Sequence, residues 1–108
     1  MSVLDPALLS SIAQQIMKGD SVDFAGKRLL VRRTSANRLR TVAFNLGSQQ
    51  YQAIEQNPDK PSRWGQLARE GHQVVQFKDV EANKFVGVAV DGKVQLYGSR
   101  TQTSRDQQ

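Results

Sequence analysis

The sequence predicts a small α+β domain built mainly from antiparallel strands, and three observations lead to that fold class. Asp91-Gly92 separates two strand-like runs and is a strong signal for a type I′ hairpin turn. A second pair of alternating runs meets at Gly47-Ser48, and an amphipathic helical stretch begins at Asp5-Pro6. We expect about seven short strands in a curled sheet or open barrel, with an N-terminal amphipathic helix and one short internal helix.

The N-terminal helix begins after Asp5, whose carboxylate can accept hydrogen bonds from free amides of the first turn. We expect it to end at Gly19 in a left-handed cap. Its apolar stripe has helical spacing and consists of Leu9, Ile12, Ala13 and Ile16. Packing on the sheet is the favoured interpretation, because a helix of this length is marginally stable by itself. The alternative is a surface for self-association, for which the candidate residues are Leu9, Ile12 and Ile16.

Two hairpins follow the helix. In the first, Ala25-Gly26 forms the turn and Val22 faces Leu29. In the second, the glycine-serine turn puts Phe44 opposite Tyr51, so that one side of the hairpin is apolar and the other is polar. These hairpins therefore supply one wall of the predicted core.

A proline-containing break separates these hairpins from the last part of the chain. Pro58 and Pro61 cannot donate to a sheet ladder. Ser62 is placed to cap a short helix over residues 63–70, and Gly71 is placed to end it.

Three antiparallel strands complete the domain, and the Asp91-Gly92 turn sets their register. The predicted pairs in the hairpin before that turn are Asp79 with Lys84, Phe77 with Val86, and Val75 with Val88. We expect residues 1–98 to form a single globular domain. Residues 99–108 contain no apolar side chain and no periodicity, which predicts a disordered polar tail.

The composition excludes several kinds of chemistry. The chain has no cysteine, so disulfides, thiolate metal sites and cysteine nucleophiles are excluded. No apolar run approaches the roughly 20 residues of a membrane span, and no signal peptide is visible. We therefore expect a cytoplasmic protein that does not associate with membranes.

The motifs of common enzymes are also missing. His72 is the single histidine and has no carboxylate beside it in sequence. The phosphate-binding patterns GxGxxG and GxxxxGKS or GxxxxGKT and the nucleophile pattern GxSxG do not occur. We expect a protein that is not an enzyme, with no catalytic residue, no metal and no cofactor. A deep pocket holding His72 with two carboxylates would instead support an enzyme or a small-ligand binder.

The net charge of +5 comes from one segment, because residues 24–54 contain six basic side chains and no acidic one. These candidate anion-contact residues are Lys27, Arg28, Arg32, Arg33, Arg38 and Arg40. Pairing across the loop 34–37 would put Arg33 opposite Arg38, which costs stability unless water or an anion lies between them. The segment indicates a contact site for phosphate or an acidic protein. The alternative is a charged edge that prevents strands from aggregating.

Two kinds of binding function remain. The favoured prediction is a small, basic, non-catalytic module that binds a protein partner or self-associates, through the helix stripe or an open sheet edge. The alternative is nucleic-acid binding through the hairpin 27–40. A contiguous positive patch would favour nucleic acid, and burial of the arginines in ion pairs would count against it.

Overall fold

A computed structural model describes residues 4–97 and confirms the α+β class with mostly antiparallel strands. Two helices and eight strands form in this part of the chain. They are α1 (Pro6–Ile16), β1 (Ser21–Phe24), β2 (Lys27–Leu30), β3 (Arg32–Arg33), β4 (Arg40–Leu46), β5 (Gln49–Glu55), α2 (Arg63–Arg69), β6 (Val74–Asp79), β7 (Lys84–Val90) and β8 (Lys93–Leu96). The tail predicted for residues 99–108 lies outside the described residues.

The strands form two antiparallel sheets. Strands β3 to β8 make a six-stranded sheet in which each strand pairs with its neighbour in the chain, and β1 and β2 make a separate two-stranded sheet. Only short connections are needed for this order, except between β5 and β6, where α2 is inserted. Within residues 4–97 neither helix is long and apolar enough to cross a membrane.

Helix α1 covers one face of the large sheet, which we call the inner face. It contacts β1 and β8 and also reaches β4, β5 and β7. The sheet residues buried beneath it include Val42, Phe44, Tyr51, Ala53, Val75, Phe77 and Ala89. Leu9, Ile12 and Ile16 are at most 1% exposed. The helix stripe is therefore part of the core, as the favoured interpretation expected, and it offers no self-association surface.

The two ends of α1 differ in how well the sequence predicts them. Asp5 is the N-cap, and its side chain accepts a hydrogen bond from the backbone N–H of Ala7 at 3.0 Å. The predicted left-handed cap at Gly19 is wrong. The helix ends at Ile16, Met17 follows in a right-handed conformation, and the Lys18 N–H donates to the Gln15 carbonyl at 3.0 Å. Because this tight turn gives a carbonyl of the last turn a donor, no left-handed residue is required.

The first hairpin has the predicted register, with Val22 opposite Leu29. Its turn residues Ala25 and Gly26 both have positive φ, at 51° and 77°, as a type I′ turn requires. The Phe24 ring meets the Phe44 ring edge-on, with 5.5 Å between the ring centroids. The β1–β2 hairpin therefore packs over the inner face beside α1.

The hairpin of β6 and β7 contains a bulge that the sequence analysis did not predict. Asp79 faces Lys84 as expected, but the register shifts between Phe77 and Lys78. The predicted partners Val86 and Val88 are wrong: Phe77 lies opposite Gly87, and Val75 lies opposite Ala89. A Cβ at Gly87 would lie 3.0 Å from the Gln95 carbonyl oxygen and 3.1 Å from the Leu96 side chain, so the glycine allows β8 to approach β7 closely.

The opposite side of the large sheet, which we call the outer face, is covered only in part. Helix α2 lies against β6 and begins at the predicted cap, where the Ser62 hydroxyl accepts from the Gly65 N–H at 3.2 Å. Near this helix, Val74 and Val88 are buried from solvent. Away from α2, the outer face is open, and this asymmetry positions the candidate sites.

Candidate functional site

The six basic residues predicted as a contact site do not lie on one surface. Lys27 and Arg28 belong to the β1–β2 hairpin on the inner side of the sheet. Arg32 pairs with Thr41, which points to the outer face, whereas Arg33 pairs with Arg40 on the inner side. Strand β3 is an edge of the large sheet, so the arginines of the β3–β4 hairpin border both faces.

The β3–β4 loop closes differently from the prediction. The Thr34 N–H donates to the Leu39 carbonyl, and the Arg38 N–H donates to the Thr34 carbonyl, both at 2.9 Å. Arg38 adopts a left-handed backbone conformation, with φ of 55°, and so becomes part of the turn. The predicted pairing of Arg33 with Arg38 is therefore wrong, and Arg33 lies opposite Arg40.

One of these arginines is held by an acidic neighbour. Glu55 accepts from the backbone N–H of Arg40 at 2.9 Å, and its second oxygen lies 4.0 Å from the Arg40 guanidinium. Within residues 4–97 the only other contact between a basic and an acidic side chain joins His72 and Asp91. The remaining five basic residues are exposed, and among the described residues none of them has a carboxylate within 4.0 Å. In this part of the chain, Arg40 is therefore the only one of the six candidates that is held in an ion pair.

The uncovered part of the outer face forms a second feature beside this edge. We call it the open outer face. Its residues come from β3 to β7 and are Arg32, Thr41, Ala43, Asn45, Gln50, Gln52, Ile54, Lys78 and Phe85. None of these nine side chains is acidic. Phe85 is 46% exposed, and the Lys78 ammonium lies 5.8 Å from the centroid of its ring. This surface combines amides, two cations and one aromatic ring.

A polar chain separates the open outer face from the part under α2. The Gln76 amide donates to the Gln56 side-chain oxygen at 2.9 Å, and the Tyr97 hydroxyl lies 3.4 Å from the Gln76 oxygen. Gln56 is 8% exposed and donates onward to the Asn57 carbonyl. Burial raises the pKa of Tyr97 to about 12. These contacts fix the orientation of the amides at the centre of the outer face.

His72 has an acidic partner that the sequence analysis missed. Its Nδ1 lies 2.6 Å from an Asp91 oxygen, although the two residues are 19 positions apart. The other Asp91 oxygen accepts from the Gln73 N–H at 2.9 Å. That backbone hydrogen bond, followed by the bond to His72, lowers the pKa of Asp91 below its ordinary value. Extending the observed register of β6 and β7 by one pair places Gln73 opposite Asp91, and His72 is the next residue in the chain.

A groove of about 470 Å³ opens beside this pair, between α2 and the β7–β8 hairpin. It holds one carboxylate rather than the two that would support an enzyme. Among residues 4–97, no group of three or more metal-ligating side chains comes together. Comparisons with protein-family models, curated proteins and solved structures found no match.

Proposed function

We propose that this protein is a non-catalytic domain that binds single-stranded nucleic acid across the open outer face. The observation that carries the proposal is a solvent-exposed sheet surface with no acidic side chain, bordered by a hairpin with three arginines that have no carboxylate partner among residues 4–97. Those arginines are Arg32, Arg33 and Arg38. Phosphate contacts supply most of the affinity of proteins that bind nucleic acids without sequence preference.

The charge distribution supports a polyanionic partner. Arg32 and Lys78 lie at opposite sides of the open outer face, separated by β4 and β5. Strands lie about 4.8 Å apart and Lys78 is offset by two residues from the position aligned with Arg32, so the backbones at the two residues are roughly 16 Å apart, a distance that a few nucleotides of an extended strand can span. A strand crossing the sheet would therefore meet a cation at each side and no carboxylate among the nine side chains of the open outer face.

The neutral residues between the cations favour a single strand over a duplex. Gln50, Gln52 and Asn45 present amides that can both donate to and accept from base edges. Phe85 presents an exposed ring on which a base can stack. Unpaired bases can reach such groups on an open sheet, whereas the bases of a duplex are stacked inside it.

The test is fluorescence anisotropy with labelled single- and double-stranded oligonucleotides at low and at physiological salt. The double variant Arg32→Gln with Lys78→Gln should weaken single-strand binding by about tenfold and reduce the magnitude of the slope of log K against log salt by about 1.4. The matched control is Lys27→Gln with Arg28→Gln, which removes the same charge from the inner side and should weaken binding by less than about threefold. Equal losses in both variants, or no binding at low salt, would refute the proposal.

Stacking is tested separately. Phe85→Ala should reduce the affinity for single strands by an amount equivalent to about 1 kcal/mol or more. The duplex affinity should not change, because no duplex base reaches the ring. If Phe85→Ala weakens single-strand and duplex binding equally, the ring contributes only to the shape of the surface.

Binding to a protein partner stays a prediction, and one observation favours it. Leu30, near the end of β2, is 63% exposed, which is high for a large apolar side chain. The edges of the large sheet give less support, because β3 has two residues and β8 has four. Sedimentation analysis of the wild type and of Leu30→Ser tests self-association. A monomer at all concentrations in both proteins would reject it.

A further inference from the structure

We propose that the groove between α2 and the β7–β8 hairpin is a separate binding site for a small organic anion, in which a carboxylate or phosphate group is joined to a ring-sized apolar body. The groove has a volume of about 470 Å³, which lies within the range of small-ligand sites. Arg63 and Trp64 line it from α2, and Val88 lines it from the sheet.

The groove offers two basic side chains that are free to bind an anion. Arg63 and Lys93 both line it, and neither has a carboxylate within 4.0 Å among residues 4–97. The one carboxylate at the groove, Asp91, accepts from the Gln73 N–H through one oxygen and contacts His72 through the other. Because two cations line the groove with this one carboxylate, the net charge presented to a ligand is positive.

The groove also provides an apolar surface for the ring of the ligand. The Arg63 guanidinium lies 5.2 Å from the centroid of the Trp64 ring, so the cation is held over an aromatic surface before any ligand arrives. Leu67 and Val90 add aliphatic surface nearby. The planar guanidinium of Arg63 can bind a carboxylate or a phosphate through two parallel hydrogen bonds. A ligand with a ring next to its anionic group would contact both halves.

The groove does not depend on the proposed nucleic-acid surface. It is formed by α2, β7 and β8, whereas the open outer face lies mainly on β3 to β6, and the chain of Gln56, Gln76 and Tyr97 runs between them. The two proposals can therefore fail or succeed independently.

The experiment uses the fluorescence of Trp64, which is the single tryptophan of the chain and lies in the groove. The full chain is titrated with phenyl phosphate, benzoate, inorganic phosphate and benzyl alcohol. We expect a saturable change with phenyl phosphate or benzoate, with a Kd of about 1 mM or tighter for ligands of this size. The stronger of the two identifies the anionic group. Inorganic phosphate and benzyl alcohol, which carry only one half of the ligand, should bind at least about tenfold more weakly.

Three variants test whether the fluorescence change comes from binding in the groove. Lys93→Gln and Arg63→Gln should each weaken the binding of the aromatic anion by about fivefold or more. The control is Lys27→Gln, which removes an exposed charge far from the groove and should leave the affinity unchanged. Amide shifts of Gln73 and Lys93 on titration give a second readout that does not depend on Trp64. Equal binding of all four probes, or no saturable change in either readout, would overturn the proposal.

A competition arm separates this site from the nucleic-acid surface. A single-stranded oligonucleotide should leave the titration with the aromatic anion unchanged. Displacement of the anion by the oligonucleotide would mean that the groove belongs to the nucleic-acid surface, and the separate site would be rejected. Retained anion binding in a protein that binds no oligonucleotide would reject only the proposed function.

Discussion

The two faces of the six-stranded sheet are made by alternate residues of the same strands, yet they have opposite character. In β4, Val42 and Phe44 are buried beneath α1, whereas Thr41 and Ala43 point to the outer face. The inner face is sealed by α1 and the first hairpin, and the outer face is covered only near α2. Because neighbouring residues serve different faces, stability and binding can be changed separately by substitutions one position apart.

Two phenylalanines test this separation most strongly. Phe77 is fully buried on the inner face, so Phe77→Ala should lower the free energy of unfolding by about 3–5 kcal/mol. Phe85 is 46% exposed on the outer face, and Phe85→Ala should cost less than about 1 kcal/mol. Urea denaturation measures both. Similar losses for the two variants would mean that the outer face also contributes a core.

The attachment of α2 is tested at Gly65. A Cβ at this position would collide with the carbonyl oxygen of Lys60, which belongs to the backbone and cannot rotate away. Gly65→Ala should therefore destabilise the protein by about 1–3 kcal/mol. At Gly19 a Cβ meets nothing within 4 Å, so Gly19→Ala is the control and should cost less than about 0.5 kcal/mol. An unchanged melting temperature for Gly65→Ala would show that α2 moves freely on the outer face.

The turn between β7 and β8 contacts α1. Gly92 has φ of 87°, and its carbonyl accepts from the Ser10 hydroxyl at 2.6 Å. Gly92→Val should cost about 1–2 kcal/mol, because a left-handed conformation crowds the β-carbon. Gly92→Asn is the matched control. Asparagine tolerates this conformation, so this variant should lose less stability than Gly92→Val. Equal melting temperatures for the two variants would contradict the turn assignment.

The smallest expected effect concerns Tyr97 and appears only at alkaline pH. Burial raises its pKa from 10.0 to about 12 in the folded protein, so the folded state holds the proton more tightly than the unfolded state. The contribution of Tyr97 is complete below pH 10 and is lost as the pH rises through the folded value. The stability difference between the wild type and Tyr97→Phe should shrink over that range. Parallel pH profiles would show that the hydroxyl is not buried against the outer face.

The fold could be predicted largely where turns and side-chain alternation agree. In the β4–β5 hairpin, Phe44 pairs with Tyr51 as predicted and Val42 lies opposite Ala53, because one face is apolar and any slip would expose it. The β6–β7 hairpin could not be predicted in the same way. Its run from Phe85 to Val90 is apolar on both faces, so alternation does not reveal the bulge that moves Gly87 opposite Phe77.

The candidate sites were predictable only in part. The basic segment over residues 24–54 predicted Arg32, Arg33 and Arg38 as contact residues. In the structure these arginines are exposed at a sheet edge. The division of the basic residues between two faces depends on the closure of the β3–β4 loop through Arg38, for which the sequence carries no strong turn signal. The contact of His72 with Asp91 joins residues 19 positions apart, and the sequence analysis did not extend its pairing of β6 with β7 far enough to reach them.

The packing of α1 on β8 has a consequence for the order in which the chain folds. Helix α1 packs against β8, and the Ser10 hydroxyl reaches the turn that precedes that strand. The neighbouring hairpins can form from local contacts, but the contact of α1 with this turn must wait until residues more than 80 positions away have been synthesised. During synthesis the side of α1 that packs on β8 is therefore uncovered until β8 has left the ribosome. Closing this long-range contact is the step that we expect to limit the folding rate.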